Sequence, residues 1–407
     1  MLTSPPVSPA QTTLPTAPSL SARDLQRLES RGISLEEAER QLSLLRRGPA
    51  YARIERPCTA ENGGILRLEK PQHAAALEAF SEAAKADRVS KFVPASGAAT
   101  RMFKDLAVWA QRGGGADGAL PRPVELFFDG LEHLALGRSP MAQGLVHARD
   151  PESRRLALRE LLFGQPGLCS QPKGLLPFHV AASGALRTAF DEHCIESEEW
   201  IAGYGDGAVQ VHFTVGAEHL AAFQRRAEEI LPFLERALEC AFRVTFSCQS
   251  PATDTLALAP DGQPFRTAGD LLLRPGGHGS LLLNLEATGG DLVMVKNIDN
   301  IASQPSAPSL YWQRLLVGQL ALLERQIAAW RDRLASDPSG ARIEQICAGL
   351  IGLFGPTPSL AAESSVPQRM AALHQALAKP LRVCGMVPDE TFTGGGPFWV
   401  RQADGSL

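Results

Sequence analysis

The stretch KFVPASGAATRMFKDL, residues 91–106, predicts a β-strand that leads through a turn of small residues into an α-helix. Phe92 and Val93 are typical of a buried strand, whereas Phe103 and Leu106 have the spacing of a helix with one apolar face. Between them come Ala95, Ser96, Gly97, Ala98, Ala99, Thr100 and Arg101. Small side chains let backbone N–H groups approach a phosphate, and a helix N-terminus attracts negative charge. The turn therefore predicts a phosphate-binding loop, with a packing turn and a surface arginine as the alternative.

The composition is that of a soluble globular protein. The chain of 407 residues has 44% hydrophobic and 21% charged residues, with a net charge of −4. Because there is no basic surplus, no nucleic-acid partner is expected. The short basic run at Arg46, Arg47, Arg53 and Arg56 is interpreted as solvated surface. No apolar run reaches the length that spans a membrane, so no membrane partner is expected either.

Cysteine usage and the N-terminal segment both favour the cytoplasm. The seven cysteines are scattered and contain no C-x-x-C pair, which argues against a disulfide framework and against a zinc ribbon. Residues 1–20 lack the basic and apolar regions of a secretory signal. Their Pro, Ser and Thr content predicts a disordered tail. We therefore expect a cytoplasmic protein.

The rest of the chain is predicted to have three parts. Residues 21–88 form an N-terminal helical region, 89–305 an α/β core, and 306–407 C-terminal helices with a closing strand. Within the core, residues 121–171 are predicted to be largely helical.

Strands and helices alternate through the predicted core. Strands at 207–215, 242–248 and 291–300 are separated by helical patterns, which favours βαβ units and a mostly parallel sheet. Two more strands are predicted near the C-terminus, at 379–387 and 393–400.

Polar residues follow several of these strands, where open α/β sheets bind ligands. Lys173 lies between a proline and a glycine, which position it to act as a point charge on a phosphate. Asp299 ends an apolar strand and is a natural Mg²⁺ ligand, because Mg²⁺ takes one or two carboxylates and completes its shell with phosphates and water. Gly276 and Gly277, next to His278, would let a ring or sugar approach the backbone. The alternatives are a surface lysine, an Asx-turn aspartate and a capping glycine turn.

The order of these motifs resembles the UDP-sugar pyrophosphorylase group of nucleotidyltransferases. The family loop L-A-G-G-x-G-T-R-L is matched by residues 94–102, and the family P-K-G segment by 172–174. A threonine at a strand end, a glutamine, a P-G-H-G turn and an N-x-D-N motif are matched by Thr214, Gln249, 275–279 and 297–300. This likeness covers residues 89–300. The whole chain also resembles a bacterial family described as a domain of unknown function.

The resemblance implies a nucleotidyltransferase-like core at 89–305, of the Rossmann-like glycosyltransferase-A type with a mixed sheet, and helical additions at both ends. It implies a reaction that joins a sugar 1-phosphate to a nucleoside triphosphate, with UTP favoured, and releases pyrophosphate. Arg101, Lys173 and Asp299 would be catalytic, and Asp299 would hold Mg²⁺. The residues implied to contact nucleotide or sugar are Ala95, Ser96, Gly97, Ala98, Ala99, Thr100, Gln249, Gly276, Gly277, His278 and Asn297.

Other functions stay open. Ser96 and Ala99 replace glycines of the family loop, which motivates a degenerate member that binds a nucleotide or sugar nucleotide without turnover. A zinc hydrolase is disfavoured because no H-E-x-x-H spacing occurs. Its candidate ligands are His179, His193, His212, His219 and His278. A kinase-like transferase is disfavoured because no G-x-x-x-x-G-K-[ST] motif occurs. Asp389 and Glu390 are candidates for a second metal ligand.

Overall fold

Two units make up the chain. One combines Met1–Tyr51 with Gln249–Ser280, and the other combines Ala52–Cys248 with Leu281–Leu407. Residues 249–280, which were predicted within the core, thus lie in the same unit as the N-terminal helices. A computed structural model describes residues 20–48, 51–97, 99, 102–112, 120–165, 167–201, 203–204, 207–303, 306–355, 360, 364–388, 396–403 and 405–407. The predicted tail at 1–20 falls outside these residues except for Leu20.

Helices dominate the described residues in both units. In chain order they are α1 (Ala22–Ser30), α2 (Leu35–Arg47), α3 (Lys70–Lys85), α4 (Lys104–Arg112), α5 (Arg122–Gly130), α6 (Gln143–His147), α7 (Pro151–Phe163), α8 (Ala189–Ile201), α9 (Leu220–Leu238), α10 (Leu282–Ala287), α11 (Ala307–Ser336), α12 (Gly340–Phe354) and α13 (Val366–Leu377). The strands are β1 (Arg53–Pro57), β2 (Val89–Pro94), β3 (Pro177–Val180), β4 (Leu186–Thr188), β5 (Val209–Val215), β6 (Phe242–Cys248), β7 (Arg266–Thr267), β8 (Asp270–Leu271), β9 (Leu292–Val295) and β10 (Phe398–Arg401).

Local signals set the bounds of the first two helices. The side-chain oxygens of Ser21 and Ser34 accept the backbone N–H groups of Asp24 and Glu37, which begins α1 and α2. Gly48, with φ of 76°, ends α2 as predicted. The core of this unit joins both helices to the 249–280 segment through Leu28, Ile33, Ala38, Leu42, Leu256 and Leu271.

A four-stranded sheet forms the centre of the other unit, in the order β6-β5-β2-β9. Each neighbouring pair in it is parallel, which confirms the predicted α/β class with a parallel sheet. Phe92 of β2 lies opposite His212 of β5 and Val295 of β9. The chain adds strands on one side of β2 and then returns to add β9 on the other side. The switch point of the sheet, where ligands of open α/β folds bind, therefore lies between β2 and β9 at their carboxyl ends.

One face of this sheet is covered by helices. Val89 and Val93 share a face of β2, because alternate residues of a strand point the same way. Val93 packs in a buried cluster with residues of β5, α8 and α9, whereas Val89 packs with residues of α3, α11 and β9. Burial of such apolar surface stabilises the unit by about 25 cal/mol per Å².

Two further helical cores belong to the same unit. Residues 121–171 are largely helical, as predicted, and α4, α5, α6 and α7 share a buried cluster that includes Phe103, Trp109, Leu158 and Leu162. The helices α11, α12 and α13 share another, around Trp330 and Ile346. Among the described residues, no helix is both long and apolar enough to span a bilayer.

The C-terminal strand predictions have a mixed outcome. Residues 379–387 were predicted as a strand, which is wrong, because they have neither strand nor helix structure except for a bend at Lys379. β10 confirms the strand within 393–400, and it pairs antiparallel with β1, which the sequence did not predict. The antiparallel pairs β1–β10, β3–β4 and β7–β8 are separate two-stranded ladders, so the described main sheet is parallel rather than mixed.

Candidate functional site

Three segments of the chain meet at the carboxyl edge of the sheet. The N–H of Ala95, just after β2, donates to the carbonyl of Thr214 in β5 at 2.8 Å. The N–H of Ile298, just after β9, donates to the carbonyl of Pro94 at 3.3 Å. The ends of β5, β2 and β9 are therefore fixed relative to one another on both sides of the switch point.

A fourth segment, the P-K-G turn, is tied to the small-residue loop. The N–H of Lys173 donates to the carbonyl of Gly97 at 3.4 Å, and the N–H of Ala99 donates to the carbonyl of Gln171 at 3.3 Å. Four of the segments that carry the family resemblance thus occupy one edge of the sheet, although they are far apart in sequence.

Lys173 and Asp299 form an ion pair at this edge. The Nζ atom of Lys173 lies 2.8 Å from Oδ2 of Asp299, and the two side chains are 21% and 37% exposed. Two of the three residues implied to be catalytic are therefore in direct contact. Arg101, Ala98 and Thr100 lie outside the described residues, as do Asp389 and Glu390.

Two of the small side chains of the loop pack in the protein core. Ala95 and Ala99 are fully buried, and their methyl groups belong to two apolar cores. Their N–H groups already donate to protein carbonyls. The described part of the loop that faces outward is Ser96 and Gly97, and a Cβ on Gly97 would meet no atom of the described residues within 4 Å. The methyl groups of the two alanines therefore contribute to packing, whereas Gly97 is exposed, and contact of the loop with a nucleotide stays a prediction.

Four predicted binding residues belong to the other unit: Gln249, Gly276, Gly277 and His278. The side-chain amide of Gln249 donates to the carbonyl of Gly276 at 3.1 Å, so it shapes the glycine turn. A Cβ on Gly276 would stand 2.7 Å from the carbonyl oxygen of Thr253, which explains the glycine there. Gly277 borders open space, and His278 is exposed.

The end of β5, which carries the predicted Thr214, also carries a network of side-chain hydrogen bonds around His212. Nδ1 and Nε2 of His212 lie 2.8 Å from the hydroxyls of Thr245 and Ser247, respectively. The side-chain amide of Asn284 donates to the Ser247 hydroxyl at 2.9 Å, so that hydroxyl can donate to Nε2 of His212. Burial lowers the pKa of His212. This favours the neutral imidazole, in which one ring nitrogen donates a hydrogen bond and the other accepts one.

Sequence reasoning missed a buried charged cluster beneath the site. The Nζ atom of Lys91, in the middle of β2, lies 2.6 Å from Oε2 of Glu196 on α8, and both side chains are at most 2% exposed. Lys296, directly after β9, pairs with Oε1 of the same carboxylate, to which Gln313 donates at 3.2 Å. Burial opposes ionisation of Glu196, but the two lysines lower its pKa to about 2. Burial lowers the pKa of Lys91 to about 8, so the pair is charged at neutral pH.

His193 reaches the same segment from α8. Its Nε2 lies 3.2 Å from the carbonyl oxygens of both Asn297 and Ile298, so this nitrogen carries a proton and donates it. Burial, followed by the charge of Lys91, holds the pKa of His193 well below its usual range. The imidazole is therefore neutral and serves as a fixed donor to the backbone just before Asp299.

A second buried carboxyl lies on α8, under the β3–β4 hairpin. Oε1 of Glu192 lies 3.2 Å from Nδ1 of His179, and Oε2 lies 3.7 Å from Nη1 of Arg187. Burial raises the pKa of Glu192 to about 7, and Arg187 acts against that rise. Neighbouring Asp191 pairs instead with Arg226 of α9, at 2.5 Å.

The five histidines proposed for a zinc site contact different partners. In the larger unit, His179 meets Glu192, His193 meets backbone carbonyls, His212 meets hydroxyls, and His219 is 3.7 Å from Glu218. His278 belongs to the other unit. Within the described ranges, no group of three or more histidine, cysteine or acidic side chains is placed to hold a metal ion.

Comparison with known families gives a match over residues 21–407, to a family described as a domain of unknown function, DUF4301. The chain belongs to the DUF4301 family. This match confirms the predicted whole-chain resemblance to a domain-of-unknown-function family. A comparison of this DUF4301 chain with curated proteins finds no match.

Among solved structures, the DUF4301 chain is similar to the uridine diphosphate N-acetylglucosamine pyrophosphorylase from Trypanosoma brucei, crystallised with an inhibitor. The identity is 16% and the TM-score is 0.35. The similarity covers 63% of this chain and 39% of the trypanosomal chain, so the DUF4301 chain matches well under half of that enzyme.

Proposed function

We propose that this protein is a nucleotidyltransferase that joins a sugar 1-phosphate to a nucleoside triphosphate, with UTP favoured, and releases pyrophosphate. The observation that carries the proposal is the contact of Lys173 with Asp299, at 2.8 Å, beside the switch point of the parallel sheet. A cation and a carboxylate at that position suit a reaction between two phosphorylated substrates. The sequence resemblance supports the same reaction class.

The proposed reaction requires the protein to position the two substrates and to supply positive charge. A sugar phosphate oxygen attacks the α-phosphorus in line with the leaving pyrophosphate, and little covalent help is needed. The phosphate is already an anion near neutral pH, so no general base is required. The ammonium group of Lys173 would leave Asp299 for the phosphate oxygens and neutralise charge that develops on them. Arg101 is proposed to act in the same way on the neighbouring phosphates.

Asp299 fits the role of a Mg²⁺ ligand. Its carboxylate follows β9 and is more than a third exposed, so it would be accessible to Mg²⁺ together with phosphate oxygens and water. Bound Mg²⁺ would supply positive charge to the phosphate oxygens. Lys173 already neutralises this carboxylate, so we expect Mg²⁺ to bind together with nucleotide rather than alone.

The outward part of the small-residue loop would contact the triphosphate. Ser96 and Gly97 are the described loop residues whose backbone N–H groups are not used in a described hydrogen bond. Gly97 borders open space large enough for a Cβ, and it lies next to Lys173 through their backbone hydrogen bond. Asn297 is proposed to face the sugar or the base. The roles of Gln249, Gly276, Gly277 and His278, which belong to the other unit, stay predictions of the sequence resemblance.

A second candidate is binding of a nucleotide or sugar nucleotide without turnover. The N–H groups of Ala95 and Ala99 already donate to protein carbonyls, so these two backbone donors are not available to a triphosphate. This is the observation that favours the second candidate.

The deciding experiment is a screen of the four nucleoside triphosphates against a panel of sugar 1-phosphates, with released pyrophosphate as the readout. We expect release with at least one pair, in the presence of Mg²⁺, and calorimetry should show UTP as the preferred triphosphate. Tight nucleotide binding without pyrophosphate release for any pair would support the second candidate. Absence of both binding and release would contradict the nucleotide-based proposal.

A further inference from the structure

The face of α8 that points into the larger unit carries ionisable side chains where apolar ones would be expected. Glu192, His193, Glu196 and Ser197 are each at most 1% exposed. Buried charges oppose folding unless they are paired, and apolar side chains of similar size often give equal or greater stability. Stability alone therefore gives no reason for this composition.

Glu196 connects the two strands that flank the switch point. Its carboxylate pairs with Lys91 in the middle of β2 and with Lys296 at the end of β9. Gln313 of α11 completes the set of donors. One carboxylate thus ties β2, β9 and α11 to α8.

His193 holds the next two residues of the same segment. Its Nε2–H is shared between the carbonyls of Asn297 and Ile298, at 3.2 Å from each. The backbone carbonyl of His193 in turn accepts from Nζ of Lys91 at 3.3 Å and from the Ser197 hydroxyl. Lys296, Asn297 and Ile298 are therefore all contacted by side chains of α8.

We propose that Glu196 and His193 are positioning residues that set the direction in which Asp299 leaves β9, and so its distance from Lys173 and from a bound nucleotide. Each of the three residues before Asp299 is fixed by a directional contact to α8, so the backbone that carries the carboxylate leaves β9 in a set direction. A mobile 296–298 segment would let Asp299 sample positions out of reach of Lys173, and in that state few nucleotides would be held in line for attack. The catalytic part of this inference rests on the proposed function, whereas the structural part does not.

Lys296→Met is the first test variant. It removes one cation from Glu196, leaves the buried Lys91–Glu196 pair electrically balanced, and keeps most of the aliphatic side chain. We expect it to fold, whereas Glu196→Gln would leave two lysines without a carboxylate and is expected to destabilise the fold strongly. Lys296→Arg keeps the cation and should behave as wild type. Arg325→Met removes an exposed ion pair with Glu82 elsewhere on α11 and serves as the matched control.

His193→Leu is an independent second variant, because it removes the donor to Asn297 and Ile298 without changing the charge on Glu196. His193→Gln can return an amide N–H near the position of Nε2. We expect His193→Leu to loosen the 296–298 segment and His193→Gln to restore part of its protection.

Two measurements separate positioning from a general effect on stability. Hydrogen exchange of the peptide spanning 292–301 should be about tenfold faster in Lys296→Met and His193→Leu, while peptides from α12 and α13 stay unchanged. If the wild type is active, kcat should fall about 10–100-fold with KM within about twofold, as when groups that orient a ligand are removed.

The outcomes distinguish this inference from the proposed function. Unchanged exchange at 292–301 in both folded variants would overturn the positioning role, whatever the activity. Faster exchange with an unchanged kcat would overturn it as well. Faster exchange in a protein whose wild type releases no pyrophosphate would uphold the positioning of the segment and reject the transferase proposal.

Discussion

Gly174 packs so closely on Phe223 that a Cβ at position 174 would stand 2.7 Å from Cζ of the ring. The same Cβ would be 3.1 Å from a side-chain carbon of Ile298, in the segment that leads to Asp299. The absence of a side chain at 174 therefore lets the P-K-G turn approach the end of β9, and this approach puts Lys173 within reach of Asp299.

Gly174→Ala should accordingly displace the turn. We expect a loss of about 1–3 kcal/mol in the free energy of unfolding, as in overpacked cores, and a lower turnover in the fraction that remains folded. Thermal denaturation followed by circular dichroism gives the first quantity, and pyrophosphate release gives the second. Gly144→Ala, where a Cβ meets no atom within 4 Å, is the control. Equal behaviour of the two variants would contradict the packing argument.

Gly97→Ala tests whether a ligand occupies the open space beside the loop. A Cβ at 97 meets no described protein atom within 4 Å, so the melting temperature should stay the same. If triphosphate lies there, its affinity should fall at least about tenfold, which corresponds to about 1.4 kcal/mol. Calorimetric titration of wild type and variant with UTP measures the change. Identical affinities would place the triphosphate elsewhere.

Lys173→Ala should lower turnover by about 10²–10³, because it removes a cation from beside the reacting phosphate. The partly exposed pair with Asp299 contributes at most about 1 kcal/mol, so the fold should persist. Steady-state kinetics with pyrophosphate as the readout checks the rate, and Lys379→Ala is the control at an exposed lysine. Near-normal turnover in a folded Lys173→Ala protein would assign this lysine to the surface.

Asp299→Asn should keep the shape of the side chain and remove its charge. We expect weaker binding of Mg²⁺ with nucleotide and a loss in turnover of about two orders of magnitude, which corresponds to about 2.7 kcal/mol of lost transition-state stabilisation. A Mg²⁺ titration of activity compares the variant with Asp291→Asn. Asp291 also pairs with a cation, Arg88 at 2.5 Å, but it lies before β9, at the opposite edge of the sheet. Activity that persists after chelation would refute the metal role of Asp299.

Glu192 predicts a dependence of stability on pH. An unfolded glutamate titrates near 4.5, and burial raises the pKa of Glu192 to about 7 in the folded protein. Between these values the folded state holds a proton that the unfolded state has lost, so the contribution of Glu192 to stability decreases as pH rises from about 4.5 to 7. Glu192→Gln should remove this decrease and melt higher than wild type at pH 8. Melting temperatures from pH 5 to 8 measure it, with Glu228→Gln at an exposed position of α9 as the control. If the melting temperatures of Glu192→Gln and wild type differ by the same amount at every pH, Glu192 is not the group that titrates between pH 4.5 and 7.

The strands of the parallel sheet could be predicted because their side chains are mostly apolar, or alternate between apolar and polar at every second residue. Helical segments also separate these strands in the sequence. β2, β5, β6 and β9 fall within or close to the expected ranges. The pairing of β1 with β10 could not be predicted, since all five residues of β1 are exposed and carry no burial pattern. Residues 379–387 have the composition of a strand, but strand structure depends on a partner that composition does not reveal.

The motifs of the candidate site and their order could be predicted from the sequence. The buried residues that hold the site in place could not. Lys173 and Asp299 follow predicted turns and strand ends, so the sheet edge where they meet could be inferred. Lys91 could not be interpreted from sequence, because a lysine in an apolar strand normally marks a solvent-facing position. Its partner, Glu196, lies 105 positions away, and only the packing of α8 on the sheet brings the two together.

The strand order also governs when the site can form during synthesis. β2 and β5 are made long before β9, so a nascent chain that ends before Leu292 has β2 paired on one side only. Its other side then presents unpaired backbone groups, and open strand edges of this kind are where chains associate and aggregate. Lys296 and Asp299 arrive together with β9. The segment that completes the candidate site therefore also replaces the open edge of β2, six residues long, with the edge of β9, four residues long, and a shorter edge strand pairs less readily with another chain.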